Sequence, residues 1–82
     1  MDARTVITAL SNPTRADILV LVTERSMNLS QLAAATNINI SSVFSAVSKL
    51  QIAGLVTKRR RGRQCFVRSR YAKIDLLFRD LH

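Results

Sequence analysis

The spacing of apolar residues changes near residue 54, and the change divides the chain into a helical part and a strand-like part. Before it, apolar residues recur at three- and four-residue intervals, the repeat that lines one face of a helix. Val6, Ile7 and Leu10 share a face over Asp2–Leu10, and Ile18, Leu21 and Val22 share one over Pro13–Glu24. Leu32 and Ala33 do so over Leu29–Thr36, and Val43, Val47 and Leu50 over Ile40–Ala53. After Gly54 the runs Leu55–Arg60 and Arg63–Arg68 are rich in Val, Thr, Phe and Cys, a strand-like composition. A helical period returns at Tyr71–Leu81, where Ile74, Leu77, Phe78 and Leu81 form one stripe.

Polar residues mark the boundaries. Asn12 suits a helix N-cap, and Pro13 suits the first helical position, where its missing N–H would be unpaired anyway. Asn28 followed by Gln31 has the spacing of a capping box. Residues 37–39 form a turn, Asn39 caps the next helix, and Gly54 is a fitting stop. Two helices joined by so short a turn make a helix-turn-helix candidate over about residues 29–53. Arg61 and Gly62 form a two-residue hairpin loop, with Gly62 supplying the positive φ. That register sets Arg60 opposite Arg63, Lys58 opposite Cys65 and Val56 opposite Val67. The hairpin base is then apolar and its tip cationic, and the crowded arginines repel one another until an anion neutralises them.

Composition narrows what such a chain does. A length of 82 residues implies one domain with a thin core. The apolar share of 48% excludes a disordered chain. The longest apolar run, Ile18–Val22, is five residues, whereas a membrane span needs about 20. The opening MDART lacks the blocks of a signal peptide, so a cytoplasmic protein is expected. Cys65 is the lone cysteine, so no internal disulfide can form. Net charge is +8, yet its placement matters more. The five acids are Asp2, Asp17, Glu24, Asp75 and Asp80, so residues 26–74 hold none of them but nine of the thirteen bases. Positive charge focused in this way points to a polyanion, nucleic acid above all; a face that only keeps the protein in solution is the alternative. No paired carboxylates, Gly-rich phosphate loop, metal set or Cys–His pair is present, so the reading is not an enzyme and needs no cofactor.

At the residue level the chain resembles the ArsR family of small bacterial and archaeal repressors. The resemblance rests on ALSNPTRADIL (9–19), LSQLAAATNINISSVFSAVSKLQIAGLV (29–56) and KRRRGRQCFV (58–67). These are similar to the family's opening L-x-(D/N)-P-T-R-x-x-I-L, its helix-turn-helix ending in L-x-x-A-G-L-V, and its wing with Gly at the tip. The expected fold is mainly α with a β-hairpin wing, a winged helix-turn-helix in the order α-α-α-α-β-β-α. One domain spans residues 1–82, with the helix-turn-helix about 29–53, the wing about 55–68 and a C-terminal dimerisation helix about 71–81. The resemblance implies a homodimeric repressor that binds double-stranded DNA at an operator. It also implies a dimer interface on the first and last helices, here Val6, Ile7, Ile74, Leu77, Phe78 and Leu81. Many members hold a metal through a cysteine pair where this chain reads RSMNLSQL, and others use Asp and His on the last helix. Asp75, Asp80 and His82 do not reproduce that set, and a site needs three or four ligands. No metal is expected.

A helix-turn-helix presents the start of its second helix to base edges in the major groove. With Val43, Val47 and Leu50 inward, the outward positions are Ile40, Ser41, Phe44, Ser45 and Ser48, with Lys49 at the rim. Asn39 and Ser42 sit at the helix start, where backbone N–H groups attract phosphate. Phe44 has two readings, turned outward to thymine methyls or inward to the core. The surface lacks arginine and glutamine, so bidentate contacts to bases are scarce. The wing residues Lys58, Arg59, Arg60, Arg61 and Arg63 are therefore expected to carry much of the affinity, along phosphates or in a narrow minor groove. Three other functions fit the same features. The chain could be an architectural or plasmid-partition DNA binder, a redox-responsive repressor acting through Cys65, or a module that docks another protein.

Overall fold

The computed structural model describes residues 3–71, leaving aside the side chains of residues 3, 5 and 6. The chain runs α1 (Ala3–Leu10), α2 (Pro13–Glu24), β1 (Met27–Asn28), α3 (Leu29–Thr36), α4 (Ile40–Ile52), β2 (Val56–Arg61) and β3 (Gln64–Ser69). Of the expected helix at 71–81, Tyr71 lies in a bend and the rest lies outside the described residues, as do Ile74, Leu77, Phe78, Leu81, Asp75, Asp80 and His82.

The caps account for the helix boundaries. Asn12 accepts from the Arg15 backbone N–H at 3.2 Å with Pro13 beside it. Asn28 accepts from the Gln31 N–H at 2.7 Å, and the Gln31 side chain accepts from the Asn28 N–H at 2.9 Å, a complete capping box. The short turn begins at Asn37, which takes a left-handed φ of 58°. Asn is one of the few residues with a side chain that tolerates that conformation. Asn39 then caps α4 through the Ser42 N–H at 2.8 Å. At the far end Gly54 has φ 77°. Its N–H bonds to the Gln51 carbonyl at 2.9 Å, and the Leu55 N–H bonds to the Leu50 carbonyl at 3.0 Å. These two bonds form a Schellman motif, which needs a residue free to adopt positive φ at Gly54.

Every described element contributes to the core. Ile18, Leu32, Val43, Val47, Leu50, Leu55 and Val67 are fully buried. Ala46 and Leu19 join them, extending the buried faces beyond the simple spacing, while Leu21 and Ala33 pack at the edge. On α1 the buried residue is Ala9, Leu10 packs against the core, and Ile7 is 56% exposed. No side-chain nitrogen or oxygen buried among the described residues lacks a partner.

The sheet corrects two expectations. It has three strands in the order β1-β3-β2, so the element order among the described residues is α-α-β-α-α-β-β. β1 is two residues long and pairs Met27 with Val67 and Asn28 with Phe66. A strand that short carries no periodicity of its own. The hairpin register also differs from the expected one. Arg61 pairs with Gln64, Arg60 with Cys65, Arg59 with Phe66, Lys58 with Val67 and Val56 with Ser69. The loop is therefore Gly62–Arg63 rather than Arg61–Gly62, and the strands span 56–61 and 64–69. Gly62 has φ 60°, and Arg63 is not among the positive-φ residues. That is the pattern of a type II′ turn, which needs glycine at the first loop position. The expected loop put glycine second, where arginine would have had to share the positive φ. The correction moves each partner by two positions, so every side chain keeps its face.

Candidate nucleic-acid interface

Helix α4 buries Val43, Ala46, Val47 and Leu50. Its opposite side displays Ser41 and Ser45, both exposed, and Ser48, half-buried. Ile52, on the same stripe, is 86% exposed; it follows Ser45 and Ser48 at seven and four residues, a signal present in the spacing but passed over. Serine hydroxyls both donate and accept, so this stripe offers adaptable hydrogen bonding with little fixed preference. Two borders flank it. On the α2 side, Ser42, Ser45 and Lys49 share a groove with Asn12, Thr14 and Arg15. Arg15 is committed elsewhere: its Nε donates to the Ala9 carbonyl at 2.7 Å and its Nη2 to the Thr8 carbonyl at 3.2 Å, which caps the end of α1.

On the wing side lie Ile40 and Phe44. Both are exposed, Phe44 at 54%, so of its two readings the outward one holds. The Phe44 ring is not free: Lys58 Nζ stands 4.8 Å from its centroid. An ammonium over an aromatic face at that range is attractive by about 0.5–1 kcal/mol at a partly exposed site. The contact ties β2 to α4. Ile40 adjoins Arg63, Gln64 and Cys65 in a cleft that also touches the start of α3.

The expected wing cations are divided between two faces. Alternation along β2 and β3 puts Val56, Lys58, Arg60, Cys65 and Val67 on one face, with Val56 and Val67 buried. Thr57, Arg59, Arg61, Phe66 and Arg68 occupy the other. Arg63 stands in the loop between them. Arg60 Nε donates to the Gly62 carbonyl at 3.3 Å. Cys65 is half-buried and faces Arg60, not Lys58. Same-face positions such as Arg59 and Arg61 are about 7 Å apart along the strand backbone. In water that spacing costs roughly 0.6 kcal/mol per pair, which the fold can carry and phosphates would relieve.

Among the described residues no group of three His, Cys, Asp or Glu stands together to hold a metal. In the stretch RSMNLSQL, Ser26 is exposed and Met27 is buried and paired with Val67. Neither side chain can supply a thiolate. No helix of the described residues is long and apolar enough to cross a membrane.

The profile of bacterial regulatory proteins of the arsR family matches residues 12–58, from the cap of α2 into β2. The chain belongs to this family. Its members are helix-turn-helix DNA-binding transcriptional regulators and not enzymes. The match ends at Lys58, so the run Arg59–Arg63 lies beyond it. Solved structures agree on the fold. The homodimeric winged helix-turn-helix DNA-binding domain Mb0332 from Mycobacterium bovis, a possible ArsR-family regulator, is 30% identical with a TM-score of 0.80. That alignment covers 95% of this arsR-family chain and 72% of the other. NolR from Sinorhizobium fredii is 25% identical with a TM-score of 0.83, covering 96% and 79%. HlyU from Vibrio cholerae, at 20% identity and a TM-score of 0.84 over 98% and 84%, shares the fold. No curated protein sequence matches the chain.

Proposed function

We propose that this arsR-family chain acts in the cytoplasm as a homodimeric, sequence-specific repressor, without metal sensing. One observation carries the reading: the serine stripe of α4 and the cationic wing border each other, joined at Phe44 and Lys58. In it, Ser41, Ser45 and Ser48 meet base edges, Ile40 and Phe44 meet thymine methyls, and Asn39, Ser42 and Lys49 meet backbone. Lys58, Arg59, Arg60, Arg61 and Arg63 bind phosphates along the adjoining groove. The homodimeric Mycobacterium bovis domain supports assembly in pairs, through α1, with Val6 and the exposed Ile7, and through Ile74, Leu77, Phe78 and Leu81. Repression, as the family resemblance implies, then follows from occupying an operator.

Selection of bound fragments from random duplex DNA tests the reading. The expected product is a two-fold symmetric site with half-sites about one helical turn apart, roughly 34–36 Å. Enrichment of asymmetric single sites, or of none, would refute the dimeric operator-binding form. The charged wing also suits an architectural or partition protein. Footprints that spread along DNA from a first site would favour that second reading over the repressor.

A further inference from the structure

On the outer face of the wing the reading above uses Arg59 and Arg61 but leaves Phe66 and Arg68 without a role. Phe66 lies on the central strand, half-buried, directly opposite Arg59. Arg61 Cζ is 5.8 Å from the ring centroid, and Arg68 stands two residues along on the same face. With Ser26 and Thr57 these side chains line one depression of about 270 Å³. Among the described residues no carboxylate lines it. The other face of the hairpin carries the buried Val56 and Val67, and through Lys58 it meets α4. The depression is therefore turned away from the recognition helix. Arg68, near the hairpin base opposite Thr57, is far from the tip.

Guanidinium groups ringing an accessible aromatic face make a chemically specific combination. Phosphate alone would need only the charges, and an apolar partner only the ring. A base with its phosphate uses both, by stacking and by charge-assisted hydrogen bonds. In a duplex the base faces are already stacked on each other, so only an unpaired base can use Phe66. We propose that the outer wing face binds an unpaired, phosphate-bearing nucleobase while a duplex occupies the α4 side. The base stacks on Phe66, Arg61 closes over it as it now closes over the ring, and Arg59 and Arg68 hold phosphate. Ser26 belongs to the segment before β1, so the ligand would also tie the wing to the body of the domain. The nucleobase can belong to a single strand or to a free nucleotide.

The test titrates a short fluorescein-labelled oligothymidylate into the full chain at fixed salt, read by anisotropy, with and without saturating random-sequence duplex. The oligonucleotide is expected to bind in both cases; the duplex shares Arg59 and Arg61 and so weakens it, while Phe66 and Arg68 keep it from full displacement. Phe66→Leu keeps an apolar side chain but removes the stacking ring. It should weaken oligonucleotide binding about 5- to 150-fold. Arg68→Ala should weaken it too, and both variants should leave duplex mobility shifts unchanged. Thymidine monophosphate that competes as strongly per nucleotide identifies the free nucleotide as a ligand, and its failure to compete assigns the site to a strand. Either result supports the site. Full displacement of the oligonucleotide by duplex, or unchanged affinity in a folded Phe66→Leu chain, would overturn it. Loss of duplex binding by the unaltered chain would instead overturn the repressor reading and leave this site standing.

Discussion

Replacing Arg61 and Arg63 together with alanine perturbs the tip of the wing, on either side of Gly62. Both side chains are exposed, one at the end of β2 and one in the Gly62–Arg63 loop. Neither contributes to the core, so the fold should survive the change. Each cation that neutralises a phosphate releases condensed counterions, and the slope of log K against log salt changes by about 0.9 per contact. Losing two contacts should flatten the slope by roughly 1.8. Across a fourfold rise in salt, from about 50 to 200 mM, the unaltered chain should then lose affinity about 12-fold more than the variant. Mobility shifts or anisotropy on one duplex at several salt concentrations measure this directly. The loss at low salt should be alike for unrelated duplexes, because phosphate contacts carry no sequence information. An unchanged slope would show that the tip does not meet phosphate. A loss confined to one sequence would show that it reads bases.

Three other substitutions probe separate parts of the argument. Ser45→Ala should change the preferred sequence in a selection experiment by up to about 1–3 kcal/mol at one base pair; a uniform loss over all sequences would place Ser45 outside base readout. Asn39→Ala removes the 2.8 Å cap bond to the Ser42 N–H and should cost about 1 kcal/mol, lowering Tm by roughly 4–8 °C in calorimetry; an unaltered Tm would mean that water replaces the cap at no cost. Gly62→Ala places a Cβ in open space at φ 60°, so its cost of about 1–3 kcal/mol is backbone strain alone; an unshifted denaturant midpoint would contradict the II′ turn.

The helices were legible because the groups that bound them are close in sequence. Asn12, Asn28 and Asn39 each accept from an N–H three residues on, and the Gly54 stop closes bonds over a single turn. Apolar spacing placed Ile18, Leu32, Val43, Val47 and Leu50 in the core for a similar reason, since a helix face is a local property. The existence of the wing, the glycine at its tip and the concentration of charge upon it were equally plain. The side of each wing residue was implicit too, because strand alternation survives a register shift of two.

What the tertiary structure decided depends on partners far apart in the chain. The two-residue β1 exists only because Met27 and Asn28 meet Val67 and Phe66. The register of β2 on β3 follows the one loop position where a glycine's positive φ lets the strands close. Phe44 points outward and meets Lys58, fourteen residues later and on another element. The gathering of Arg59, Arg61 and Arg68 around Phe66 likewise requires both strands in place. Hydrogen bonds within a turn are set by neighbours, whereas the face that a side chain presents to another element is set by packing, and only the folded chain brings those surfaces together.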